Sequence, residues 1–185
     1  VKRVVLGVTG SIAAYKAADI TSTLIKLGYA VEVILTRDGS RFITALTLQT
    51  LSQNRVHADM FAEDFPREVQ HISLAKRADL FLVAPASADI IAKLAYGLAD
   101  DMLSAVALAL DPGKPALLAP AMNTNMYQSA AVRENLAKLV SRAWRIIEPK
   151  EGRLACGDLG KGALAGVEEI VAMVVAVLGP AEEER

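Results

Sequence analysis

The chain has 185 residues, a formal net charge of -1 and 53% hydrophobic residues, few of them aromatic. That length and composition suit one packed domain, residues 1–185, and exclude a disordered chain. Charges of both signs are mixed along the chain, with no Lys/Arg run set between aromatics, which argues against a nucleic-acid surface. No apolar run approaches the roughly 20 residues that span a bilayer. One cysteine, Cys156, excludes an internal disulfide and fits a reducing cytoplasm; with His57 and His71 far apart in sequence, it makes no zinc pattern.

The first residues, Val4-Val5-Leu6-Gly7-Val8, form a β-branched apolar run that predicts a buried strand, not a secretory leader. Residues 12–27 are helical by spacing, with Ile20, Leu24 and Leu27 on one face and Gly28 as the stop. Residues 30–35 are a second strand ending at Thr36, 42–51 a short helix and 54–65 a connection in which His57 reads as surface. A helical turn near His71 precedes a third strand at 79–83; helices follow at 88–96 and 101–110. The remainder predicts strands at 115–119 and 144–148, a helix at 132–142, a glycine-rich loop at 151–166 and a last helix at 167–178. Strands alternating with helices imply an α/β fold with a doubly wound parallel sheet. Ligands in such sheets bind beyond the carboxyl ends of the strands, where the chemically informative residues fall.

In Gly7-Val8-Thr9-Gly10-Ser11, a glycine turn between a strand and a helix offers backbone N–H groups to a phosphate, or is a plain strand–helix turn. The spacing matches neither the dinucleotide fingerprint nor the P-loop. In Pro85-Ala86-Ser87-Ala88-Asp89, Ser87 or Asp89 is a helix cap, and Asp89 alternatively bonds backbone N–H groups or a ligand hydroxyl. The segment from Pro120 to Tyr127 carries two methionines and two asparagines straight after a strand; the methionines fill core or line a site, and the asparagine amides suit a carboxylate or amide ligand. His71 is either structural or a proton-transfer and carboxylate-binding group. Cys156, in a glycine-rich loop suited to closing over a ligand, is a buried hydrophobe, a proton donor or a nucleophile.

Five segments together resemble the homo-oligomeric flavin-containing cysteine decarboxylases: residues 10–16, His71-Ile72-Ser73-Leu74, residues 84–89, residues 120–126 and Ala155-Cys156-Gly157-Asp158. The resemblance runs from the first strand to the last helix. It implies a flavodoxin-like Rossmann three-layer sandwich that self-associates into a trimer or a dodecamer, with FMN at the interface between copies. By the same resemblance FMN is bound by Gly10, Ser11, Thr36, Phe42, Ala86, Ser87, Ala88, Asp89 and Ala121. His71 and Cys156 are its catalytic residues; Asn123 binds the substrate carboxylate, and Met126 and Ala155 complete the substrate site. The implied reaction takes 4′-phosphopantothenoylcysteine to 4′-phosphopantetheine in coenzyme A biosynthesis. The cysteinyl thiol carbon is oxidised to a thioaldehyde, CO2 leaves as an enethiolate forms, and the flavin returns the electrons while Cys156 supplies a proton. Cys156 favours this outcome over a peptidyl-cysteine decarboxylase, which stops at the enethiol, and over a non-catalytic regulatory flavoprotein. A phosphopantothenate–cysteine ligase, fused or separate, is the implied partner; Ala163 stands where fused members tend to carry arginine.

Overall fold

A computed structural model of the chain describes residues 1–61, 69–153 and 159–181, with only the backbone of 153 and 159. The main sheet has six parallel strands: β1 (Arg3–Val8), β2 (Ala30–Leu35), β3 (Val56–His57), β4 (Leu80–Ala86), β5 (Ala116–Pro120) and β6 (Trp144–Ile146). Their spatial order is β3-β2-β1-β4-β5-β6. Two residues of β3 pair with Val33 and Ile34 of β2, adding an edge strand where the sequence predicts only a connection.

Alternation along each strand sends side chains to opposite faces. Val4, Leu6, Val8, Leu80, Leu82 and Ala84 share one buried cluster with α1 (Lys16–Lys26), α2 (Ala45–Ser52) and α8 (Val167–Leu178). Val5, Ile34, Phe81 and Val83 join the other, with α3 (Gln70–Arg77), α4 (Ala88–Tyr96), α5 (Met102–Leu108) and α7 (Ala130–Ser141). This is the three-layer sandwich that the resemblance implies, and both faces of the parallel sheet are covered. No helix among the described residues is long and apolar enough to cross a membrane.

A short helix α6 (Thr124–Gln128) follows β5, and the glycine-rich segment is an antiparallel hairpin of β7 (Lys150–Arg153) and β8 (Leu159–Ala163), not the loop that the sequence predicts.

His57 is not a surface residue. Its side chain is 12% exposed and its Nε2 lies 3.2 Å from Glu32 Oε2. The same carboxylate meets Arg3 Nε at 3.1 Å and Arg77 Nη2 at 2.9 Å, so one charge ties β1, β2, β3 and α3 together. Burial alone would raise the Glu32 pKa; hydrogen bonds from His57 and Arg77 and the charges of Arg77 and Arg3 outweigh it and hold the carboxyl at about 2.

Candidate functional site

In the order β3-β2-β1-β4 the chain leaves β1 towards both sides of the sheet, and a crevice opens beyond the carboxyl ends of β1 and β4. Thr9, the first residue past β1, links the two ends. Its buried hydroxyl donates to the Pro85 carbonyl at 2.7 Å and accepts from the Ser87 N–H at 2.9 Å. Gly10 follows because a Cβ there would lie 2.7 Å from Asp38 Cβ. Ser11 caps the 3-10 turn Ile12–Tyr15, accepting from Ala13 N–H at 3.2 Å, and Ser87 caps α4, accepting from Ile90 N–H at 3.3 Å. Two strand-to-helix turns with serine caps thus flank one crevice.

The crevice continues into a cavity of about 560 Å³. Eight of the predicted site residues line it: Gly10, Ser11, Phe42, Ser87, Ala88, Ala121, Asn123 and Met126. Four others do not: Thr36, Ala86, Asp89 and His71. Thr36 braces the turn after β2, donating to the Val8 carbonyl at 3.3 Å and accepting from Gly39 N–H at 3.1 Å. Ala86 is fully buried and its carbonyl accepts from Ala121 N–H at 3.1 Å, joining the ends of β4 and β5. Asp89 points to solvent and pairs with Lys93, which also meets Asp100 and Asp101. Ala155 and Cys156 lie outside the described residues.

Asn123 opens α6, and its side-chain oxygen accepts from Asn125 N–H at 2.8 Å. The hairpin packs directly on this segment. Met122 N–H donates to the Gly162 carbonyl at 2.9 Å. Gly162 has φ +157°, and a Cβ there would collide with the Met122 carbonyl oxygen; at Gly160 it would lie 2.5 Å from Thr124 Oγ1. At the hairpin base, Lys161 Nζ lies 2.6 Å from Glu148 Oε2, and the Tyr127 hydroxyl donates to the same oxygen at 3.1 Å. The Lys161 bond holds the Glu148 carboxyl below its usual range against the effect of burial. Burial, then the Glu148 charge, pushes the Tyr127 phenol up to about 12.

His71 is elsewhere. It sits in the first turn of α3 and lines a second cavity of about 650 Å³ with Met60, Phe61, Val69, Ile72 and Leu108. Phe61 is 82% exposed and Leu108 62%. A single copy of the chain therefore does not bring His71 to the cavity that holds Asn123.

Thr9 and Lys16 fall within motifs of the sequence but are given no role there, and the Lys161–Glu148–Tyr127 group is not anticipated. Position was the available signal for Thr9, between the strand end and Gly10-Ser11.

A family model described as "Flavoprotein" matches residues 1–179. A "Probable phosphopantothenoylcysteine decarboxylase" of Streptococcus mutans is 51% identical over 92% of this chain and 95% of that protein. The "Coenzyme A biosynthesis bifunctional protein CoaBC" of Bacillus subtilis is 47% identical over 92% of this chain, which spans only 41% of that protein's length. Among solved structures, a cysteine-to-serine mutant of PPC decarboxylase complexed with pantothenoylaminoethenethiol aligns with TM-score 0.86 and 31% identity, over 95% of this chain and 97% of that one. "The FMN binding protein AtHal3" aligns with TM-score 0.83 and 31% identity, over 95% of each chain.

Proposed function

The chain belongs to the flavoprotein family, and on that premise we propose that it binds FMN and decarboxylates 4′-phosphopantothenoylcysteine to 4′-phosphopantetheine in coenzyme A biosynthesis, in the cytoplasm. The observation that carries this reading is the shared cavity. It joins the serine-capped turns at Gly10-Ser11 and Ser87 to Asn123 and Met126 beneath the hairpin. The names of the Streptococcus and Bacillus relatives support the pathway.

The residues present fit the flavin. The backbone N–H groups of Gly10 and Ala88 and the hydroxyls of Ser11 and Ser87 stand at two strand-to-helix turns, suited to a phosphate. Phe42, Ala121 and Met122 give apolar walls for an aromatic ring, and the cavity lies within the size range of cofactor sites. Bound there, FMN supplies the reversible two-electron oxidation that lets an unactivated cysteinyl carboxyl leave as CO2.

The chain's own residues orient the substrate and move its protons. Asn123 holds the carboxylate, the donor group of an asparagine amide suiting an anion; its side-chain oxygen accepts from Asn125 N–H. Met126 packs against the substrate from the same segment. Cys156 supplies the proton that completes reduction of the enethiol, and Ala155, its neighbour in sequence, completes the substrate site.

His71 reaches the cavity from a second copy. The apolar surround of His71 and the open rim of the first cavity, where Ile12, Tyr15, Phe42 and Met126 are exposed, are the two halves of that interface. The assembly is a trimer or a dodecamer. The bifunctional relatives support a second activity acting beside this one, which we take to be the phosphopantothenate–cysteine ligase, fused or separate.

The test is the Cys156→Ser variant. It retains flavin, releases CO2 and accumulates the enethiol; formation of the fully reduced product at the wild-type rate would contradict the role of Cys156. The cysteine-to-serine PPC decarboxylase that is complexed with an enethiol supports this expectation.

A further inference from the structure

Two walls at the Asn123 end of the cavity cannot hold themselves in place. One is the segment of α6, with Asn123 and Met126; the other is β8, with Gly162 and Ala163. α6 has five residues and buries none of them, and a helix that short is not stable by its own hydrogen bonds. β8 belongs to a two-stranded sheet apart from the main one, and a lone two-stranded hairpin is marginal in water. Their relative placement therefore depends on contacts with each other and with the main sheet.

One carboxylate joins all three. Glu148 directly follows Ile147, whose side chain is buried and whose N–H donates to the Leu118 carbonyl of β5 at 2.8 Å. From that fixed point Glu148 Oε2 accepts from Lys161 of β8 at 2.6 Å and from the Tyr127 hydroxyl of α6 at 3.1 Å. The Lys161 ammonium also lies 5.8 Å from the centre of the Tyr127 ring. The carboxyl is ionised and the phenol protonated near neutral pH, so both bonds are charge-assisted.

Tyr127, Glu148 and Lys161 do not line the cavity themselves, but their neighbours do. Met126 precedes Tyr127, the Asn123 carbonyl accepts from the Tyr127 N–H at 3.0 Å, and Gly162 follows Lys161. On the decarboxylase reading, on which this inference rests, that gap receives the cysteinyl end of the substrate. We propose that Glu148 is a positioning residue for that end: by seating Tyr127 and Lys161 on one carboxylate, it sets the spacing between Asn123 and β8. The role is separable from global stability, because the Lys161 and Glu148 side chains are 39% and 62% exposed. It is separable from flavin binding, because the turns at Gly10-Ser11 and Ser87 lie on other elements.

The experiment measures steady-state kinetics with 4′-phosphopantothenoylcysteine for flavin-loaded wild type, Glu148→Ala, Glu148→Gln, Tyr127→Phe, Lys161→Met and the double variant Glu148→Ala with Tyr127→Phe. FMN affinity and the denaturation midpoint are measured on each. KM should rise about 5- to 20-fold in Glu148→Ala and less in Glu148→Gln, which keeps an acceptor for Tyr127. Tyr127→Phe and Lys161→Met should each raise KM in the same direction, with kcat changed by less than about twofold. The double variant should be no worse than Glu148→Ala, since the phenol has then already lost its partner. FMN affinity and midpoint should stay at their wild-type values. An unchanged KM in Glu148→Ala overturns the proposal. So does a rise in KM matched by loss of flavin or by a lower midpoint, which would make the group a structural brace alone. Fully additive effects in the double variant overturn it as well, by separating Tyr127 from Glu148. A flavin-loaded wild type that does not turn over sinks the decarboxylase reading itself, and this proposal with it.

Discussion

Thr9 satisfies two buried backbone groups with one hydroxyl, and it does so where β1 and β4 part. Thr9→Val keeps the shape but leaves the Pro85 carbonyl and Ser87 N–H without that partner. It should lower stability by about 1–3 kcal/mol and weaken FMN binding, because Ser87 faces the cavity. Thr9→Ser should restore both, as read by chemical denaturation and by flavin fluorescence during titration. Asn123 carries the other residue-scale prediction. Asn123→Asp places a carboxylate against the substrate's own, so KM should rise by about tenfold or more while flavin occupancy holds. An unchanged KM would remove Asn123 from carboxylate binding. Gly10, Ser11, Ser87 and Asn123 were legible in the sequence because each stands directly after a strand in a recognisable motif. Thr9 was not, since a threonine after a strand carries no pattern of its own. His57 was misplaced because its environment is made by Glu32 and Arg77, which are distant in sequence and adjacent only once β2, β3 and α3 have assembled.

At the scale of elements, α3 carries His71 at its start and is fixed near its end. Arg77 binds Glu32, and Lys114 donates to the Ala75 and Lys76 carbonyls. Glu32 has a folded pKa of about 2 against an ordinary 4.5. A carboxyl whose folded pKa is depressed contributes stability that is fully present above the ordinary value and disappears as pH falls through the folded one. Denaturation midpoints should therefore drop between about pH 4.5 and about pH 2, and Glu32→Gln should flatten that segment. The same variant should cost about 3 kcal/mol at neutral pH, since it leaves a partly buried cluster of cations without its anion. A midpoint that falls equally steeply in Glu32→Gln would assign the acid sensitivity to other groups. The hairpin behaves differently. The Lys161 and Glu148 side chains are 39% and 62% exposed, so their pair adds little to global stability. Strands and helices with strong periodicity, such as residues 30–35, 88–96 and 167–178, coincide with the sequence reading. The hairpin was hidden because its glycines look like loop. They are needed where β8 lies on Thr124 and Met122, a contact that no local pattern announces. The helix Thr124–Gln128 was hidden by its shortness.

For the molecule as a whole, the parallel sheet brings turns from several strands to one edge, which is why residues spread from Gly10 to Leu164 form a single cavity. Alternation of strands and helices made this topology readable from the sequence. What one chain does not supply is His71 at that cavity. If the site is completed across copies, His71→Asn and Asn123→Asp should each lose turnover as pure proteins. Co-assembled, the two variants should regain part of the wild-type rate, because some interfaces then pair an intact His71 with an intact Asn123. No recovery in verified mixed oligomers would place His71 outside the site.

The most direct measurement is the mass of the product that the flavin-loaded wild-type protein forms from 4′-phosphopantothenoylcysteine. The expected product has lost one CO2 with no other change in composition and is 4′-phosphopantetheine. A product lighter by a further pair of hydrogens would mean that the reaction stops at the enethiol, and no product at all would contradict the assignment of this cavity to cysteine decarboxylation.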